Sequence, residues 1–120
     1  MTGAEVSLGN TFDGVLWYGL AKDPERVEWV EYYNLGAHDR LGAALEMQMV
    51  ASHSKCTKPV YHTSINWHPE DDPTEEEIKT VAEQYLKHMG LDQNQVVLVA
   101  HNDTEHKHVH IMANRVYPVG

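Results

Sequence analysis

With Cys56 as its only cysteine, the chain can form no internal disulfide, and this usage suits a reducing compartment. Long hydrophobic runs are missing too. Nothing approaches the roughly 20 apolar residues of a membrane span, and MTGAEVSLGN lacks the basic and apolar regions of a signal peptide. The expectation is no membrane association and a cytoplasmic location. Basic residues are also scarce: 9 Lys+Arg stand against 18 Asp+Glu, a net charge of −9. Such a balance argues against strong nonspecific nucleic-acid binding. Repeats, linkers and low-complexity segments are absent, and 120 residues suit one domain, 1–120, with one core.

What is present is a clear alternation of elements. A short strand at Ala4 to Leu8 precedes a helix entered at Asn10 or Thr11, with Phe12, Val15, Leu16 and Leu20 at helical spacing. RVEWVEYYN at 26–34 is β-branched and aromatic and reads as a strand. A second helix is expected from about Asp39 to Ser52, with Leu41, Ala44, Leu45 and Val50 on its apolar side. VYHTSINWH at 60–68 alternates core-like Tyr61, Ile65 and Trp67 with polar His62, Ser64 and Asn66. The third helix has the plainest signature, with Asp72 as cap, Pro73 in the first turn and Gly90 as the stop. Ile78, Val81, Ala82, Tyr85, Leu86 and Met89 form its stripe. Strands at 96–101 and 108–116, joined by a short polar turn, form an antiparallel hairpin central in a sheet. The order predicts an α+β sandwich: a central, mainly antiparallel β-sheet with helices packed on it.

HNDTEHKHVH at 101–110 concentrates four histidines in ten residues. A metal site, a pH-sensitive surface and a solvated loop all compete to explain it. Because strand side chains alternate, His108 and His110 share one face while Val109 and Ile111 take the other. If the two strands pair, His101 joins them. Three imidazoles would then converge as a metal requires, on the last hairpin, leaving positions open for water or substrate. Asp103 and Glu105 are close enough in sequence to accept a ring N–H from a ligand histidine. Three neutral nitrogens without a thiolate fit zinc, manganese or another transition ion.

The pattern His101-x-Asp103-x-x-His106-x-His108-x-His110, followed by Ile111-Met112-Ala113-Asn114-Arg115-Val116, resembles the third motif of the relaxase or mobilisation nuclease family. These histidine-hydrophobe-histidine (HUH) endonucleases nick plasmid or integrative-element DNA at a transfer origin. YHTSINWHPEDDPTEEE at 61–77 resembles the family's second motif, with Asn66 where serine is frequent, and FDGVLWYGLAKD at 12–23 resembles the first. The resemblance implies His101, His108 and His110 as metal ligands, Tyr18 as nucleophile and Asp103 as the group orienting a ligand histidine. His106, Asn114 and Asn66 become supporting residues, and Lys107, Arg115 and Lys58 candidate DNA contacts. Tyr32, Tyr33 and Tyr61 are fallback nucleophiles.

The implied cofactor is a divalent ion, manganese or magnesium by resemblance, with zinc admitted by ligand type. The implied partner is single-stranded DNA at a transfer origin, with accessory relaxosome proteins. A phenol has a pKa of about 10 and is a poor nucleophile at neutral pH, so an electrophilic phosphate and a nearby base or cation are needed. The product expected is a covalent 5′-phosphotyrosyl intermediate with a free 3′-hydroxyl. Two alternatives stay open: an HUH replication initiator or transposase, and a non-catalytic metal-binding or DNA-binding remnant. The chain stops at YPVG, just past the last motif strand, where relaxases usually continue with helices that close over DNA. A truncated or minimal form of the domain is therefore expected.

Overall fold

The computed structural model describes residues 1–3, 5–102 and 106–118. Six strands and three α-helices follow in the order β1 (Thr2–Gly3), β2 (Ser7–Gly9), α1 (Phe12–Leu20), β3 (Val27–Tyr33), α2 (Arg40–Ser52), β4 (Val60–Asn66), α3 (Glu75–His88), β5 (Val96–Asn102) and β6 (Lys107–Asn114). A 3-10 turn at Pro24–Arg26 leads into β3. The strands form one sheet in the order β1-β4-β6-β5-β3, with β2 also on β4. All the pairings are antiparallel. The fold is thus the expected α+β sandwich, with the β5–β6 hairpin in its centre.

Period-two alternation divides this sheet into two faces. Val96, Leu98, Val109, Ile111 and Ala113 point to one side, shared by Tyr61 and Ile65 of β4 and packed with Trp67, and Ile78, Ala82 and Leu86 of α3 cover it. Val97, Val99 and Met112 point to the other, against Phe12 and Leu16 of α1 and Ala43, Ala44, Met47 and Ala51 of α2. Because both faces are covered, β5 reads as an unbroken apolar run, and Val96 to Ala100 are almost fully buried. The register pairs His101 with His108 and Val99 with His110. Both β6 histidines therefore lie on the α1–α2 face, beyond the end of its apolar core.

Local chemistry explains the helix ends. Asp39 accepts a hydrogen bond from the Gly42 amide at the start of α2. α3 begins with a reciprocal capping box, in which Thr74 Oγ1 accepts from the Glu77 amide at 3.2 Å and Glu77 Oε1 accepts from the Thr74 amide at 3.0 Å. The cap is thus Thr74 rather than Asp72, whose carboxylate pairs with Lys107 Nζ at 2.8 Å. Thr11 precedes α1 without a side-chain bond. The Phe12 amide instead donates to Gln48 Oε1 on α2 at 3.1 Å, which fastens the two helices together.

Three further expectations change. The first strand is two short pieces, β1 and β2, both paired with β4, and Ala4 lies outside the described residues. On α2, Leu41, Leu45 and Met49 face solvent, and the small residues Ala43, Ala44 and Ala51 with Met47 make the inner face. Small residues let α2 pack closely beside α1, whose Phe12 and Leu16 supply the bulk. Met89, at the C-cap of α3, is exposed rather than part of its stripe. Among the described residues no helix is long and apolar enough to cross a membrane.

Candidate functional site

The end of the α1–α2 face collects imidazoles from three adjacent strands. His101 comes from β5, His108 and His110 from β6, and each offers a ring nitrogen within 4.8 Å of the others. His101 is buried, and the other two are half-buried. Ring centroids stand 4.6 Å apart for His101 and His110, 4.9 Å for His108 and His110, and 5.2 Å for His101 and His108.

The proton positions on His101 follow from its neighbours. Its Nε2 lies 2.7 Å from the Gly19 carbonyl oxygen. A carbonyl can only accept, so Nε2 carries the hydrogen and, in a neutral ring, Nδ1 keeps a lone pair. That Nδ1 is buried and has no hydrogen-bond partner among the described residues. An unpartnered buried acceptor beside two further imidazoles fits a metal ion, and the donor set of neutral nitrogens is a normal one for transition metals. The Gly19 carbonyl is available because it lies in the last turn of α1, where carbonyls lack intrahelical partners.

Gly19 also sets how closely α1 approaches the sheet. A Cβ at this position would stand 3.0 Å from Met112 Cε and 3.2 Å from its Sδ. The preceding residue, Tyr18, is half-exposed and projects over the histidines, its ring centroid 6.2 Å from those of both His62 and His110 in edge-on contacts. Lys22, one turn later, holds its ammonium 5.1 Å from the centre of the Tyr18 ring.

His62 is absent from the sequence-based candidates. Its Nε2 lies 3.0 Å from Nδ1 of His110. The signal for it was the polar alternation of His62, Ser64 and Asn66, but the pairing that aligns β4 with β6 joins residues 48 apart in the chain. Burial lowers the proton affinity of His62. His110 is pushed further, down to about 3, by burial first and then by the positive charges that His101, His108, His62 and Arg26 would present. A ring that resists protonation keeps its lone pair for a metal.

The other candidates separate clearly. His106 is exposed and its Nδ1 contacts the Trp67 carbonyl at 3.2 Å, outside the triad. Asn66 pairs with His108 across the β4–β6 ladder and lines a neighbouring pocket with Trp67, His68 and His106. Asn114 is fully buried at the opposite end of β6, where Nδ2 donates to Met47 O at 3.0 Å and Gln95 Oε1 at 3.2 Å, and Oδ1 accepts from the Val116 amide. Its position makes it a clamp between β6 and α2. Asp103, the expected orienting carboxylate, lies outside the described residues, as does Glu105.

Among the basic candidates, Lys107 sits at the histidine end but is engaged by Asp72. Arg115 donates to the Lys58 carbonyl at 2.9 Å, and both lie past the Val60–Asn114 pairing at the far end of the sheet. Lys22 lies over the Tyr18 ring, and Arg26, paired with Asp23 at 3.7 Å, is near enough to His110 to disfavour its protonation. The fallback tyrosines have other engagements. Tyr33 donates to Glu83 at 2.9 Å, and burial with that bond raises its pKa. Tyr61 bonds Tyr85 on the α3 face, and burial leads the causes that push it up to about 12. Tyr32 stacks on His38.

Comparison with known proteins places the chain in a family. Residues 18–120 match the family model described as relaxase, MobA/VirD2-like, nuclease domain. Protein TraI of Escherichia coli is 25% identical over 80 residues, which are 67% of this chain and 11% of that protein. Protein MobA of Acidithiobacillus ferrooxidans is 26% identical over 59 residues, 49% of this chain and 14% of that protein. The matches thus span only about a tenth of the length of these curated relatives. No solved structure matches.

Proposed function

The chain belongs to the relaxase family of MobA/VirD2-like nuclease domains, and from that premise we propose that it is a metal-dependent, strand-specific DNA endonuclease and transesterase. Its substrate is single-stranded DNA at a plasmid or mobile-element transfer origin. The observation that carries the reading is the placement of Tyr18, the first matched residue, 6.2 Å from His110 on the face where three histidine nitrogens converge.

In this reading His101, His108 and His110 hold a divalent ion. When bound, such an ion supplies Lewis-acid stabilisation of charge on the phosphate oxygens. Tyr18 Oη attacks the scissile phosphorus and its proton passes to a base. The bond from phosphorus to O3′ breaks and the departing oxygen takes up a proton, leaving a 5′-phosphotyrosyl ester and a free 3′-hydroxyl. Lys22 and Arg26 place positive charge beside the phosphate, and Gly19 holds the nucleophile's helix to the ligand His101. Asp103 is assigned to orienting a ligand histidine, and Asn66 to a polar contact with the strand. Accessory relaxosome proteins would bring the origin to the site.

Incubation with manganese and a pool of single-stranded oligonucleotides should give a covalent protein–DNA adduct that survives denaturation. Equal adduct from Tyr18→Phe would remove Tyr18 as nucleophile. The net charge of −9, which works against a firm grip on DNA, favours a second reading, a non-catalytic metal-binding or DNA-binding remnant. Manganese binding without adduct from the parent would support that reading instead.

A further inference from the structure

His101 and His110 each have a neighbour that sets which ring nitrogen carries the hydrogen. For His101 that neighbour is the Gly19 carbonyl. For His110 it is another imidazole, and this makes the arrangement depend on which ring donates.

We propose that His62 is a positioning residue for His110, accepting a hydrogen bond from its Nδ1–H and so reserving its Nε2 for the ion. The inference rests on the metal-site reading above. Only one hydrogen can occupy the 3.0 Å contact between His62 Nε2 and His110 Nδ1. Were His62 the donor, the neutral His110 ring would carry its own hydrogen on Nε2, and neither of its nitrogens could bind a metal. With His110 as donor, Nδ1 is occupied by the bond to His62 and Nε2 presents a lone pair. His62 then carries its own hydrogen on Nδ1.

The surroundings hold His62 in place for this role. It lies on β4 opposite Met112 of β6 and Ser7 of β2, between two strands rather than on a loop. The Tyr18 ring packs against it edge-on from above, as it does against His110. Ligand histidines normally give their second N–H to a carboxylate, a carbonyl or water. Among the described residues it is the His62 ring, and not a carboxylate, that meets His110 Nδ1. One side chain thereby touches both the nucleophile and a metal-binding ring, so a change at His62 reaches both halves of the site.

The test uses the full chain in metal-free form. Nitrogen-15 NMR of the imidazoles should find His110 as the Nδ1–H tautomer in the parent and a shifted tautomer balance in His62→Ala. Titration with manganese chloride should show affinity lowered about 10- to 100-fold in His62→Ala. His62→Gln places an amide oxygen where the Nε2 acceptor stood and should restore affinity to within a few-fold of the parent. An Nε2–H tautomer in the parent overturns the inference, as does unchanged manganese affinity in His62→Ala. Equal weakening in His62→Gln and His62→Ala also overturns it, since packing or direct ligation would then suffice. If the parent binds no manganese, the metal-site reading fails, and the tautomer measurement still decides the role of His62.

Discussion

His101 Nε2 and the Gly19 carbonyl oxygen, 2.7 Å apart, join strand β5 of the candidate metal site to the helix that carries Tyr18. The proposed nucleophile's helix and the proposed ligand are therefore linked by a direct hydrogen bond at a residue without a side chain. A Cβ at Gly19 meets the end of the Met112 side chain closely and Val99 Cγ2 at an ordinary 3.8 Å, and alanine also restores helix propensity. Gly19→Ala is expected to be near neutral for stability. Gly19→Val should cost roughly 1–3 kcal/mol by overpacking and lower adduct yield further than stability explains. Urea unfolding and the oligonucleotide adduct assay together check this, and wild-type yield from a folded Gly19→Val protein would break the coupling.

The depressed His110 pKa gives the metal-free protein a specific pH dependence. Burial and the surrounding cations hold it at about 3, against an ordinary histidine value of 6.5. Between those limits the unfolded chain binds more protons, so stability rises with pH through this window. The contribution is complete above about 6.5 and is lost as pH falls toward about 3. His62, lowered in the same direction, adds to it. Urea midpoints at pH 7, 5.5 and 4.5 should fall more steeply for the parent than for His110→Gln. Parallel lines for the two proteins would show that His110 is not protected from protonation.

Asn114 is expected to matter for stability and not for the ion. Replacing it with alanine leaves the Met47 carbonyl, Gln95 Oε1 and the Val116 amide without their side-chain partner. The expected loss is roughly 2–4 kcal/mol, from leaving more than one buried polar group unsatisfied. Manganese affinity of the folded variant should match the parent, measured by calorimetry well below its unfolding temperature. A selective loss of affinity would return Asn114 to the site.

The basic residues should divide by position. Lys22→Ala and Arg26→Ala are expected to weaken single-stranded oligonucleotide binding, each reducing the slope of log affinity against log salt by about 0.7. Lys58→Ala and Arg115→Ala, at the far end of the sheet, should leave that slope unchanged. Fluorescence anisotropy across a salt series separates the pairs. Equal slopes for all four variants would mean that the DNA path does not cross the histidine end.

The features most legible in the sequence are those set by short-range periodicity. The β5–β6 hairpin, the shared face of His108 and His110, and the placement of His101 beside them all follow from alternation across one turn. His62 depends on a pairing between β4 and β6 that skips a helix and a strand, and no local pattern specifies it. The inner face of α2 was obscured for another reason. Leu41, Ala44, Leu45 and Val50 read as its apolar side, yet close approach to α1 keeps Ala44, adds Ala43, Met47 and Ala51, and leaves Leu41 and Leu45 to solvent. Asp72 and Thr74 both suit a helix cap, and the reciprocal bond with Glu77 together with the pull of Lys107 on Asp72 settles the choice in favour of Thr74.

The central position of β6 has a consequence for how the site fails. Its amides and those of β5 are paired on both sides within the best-buried part of the molecule, so opening them approaches global unfolding. α1 is nine residues long, and three of them, Phe12, Leu16 and Gly19, are buried. The two halves of the site thus belong to layers of unequal local stability. Under mild destabilisation the phenol should drift from its station while the imidazoles stay aligned, so that cleavage fades at temperatures where ion binding is still intact.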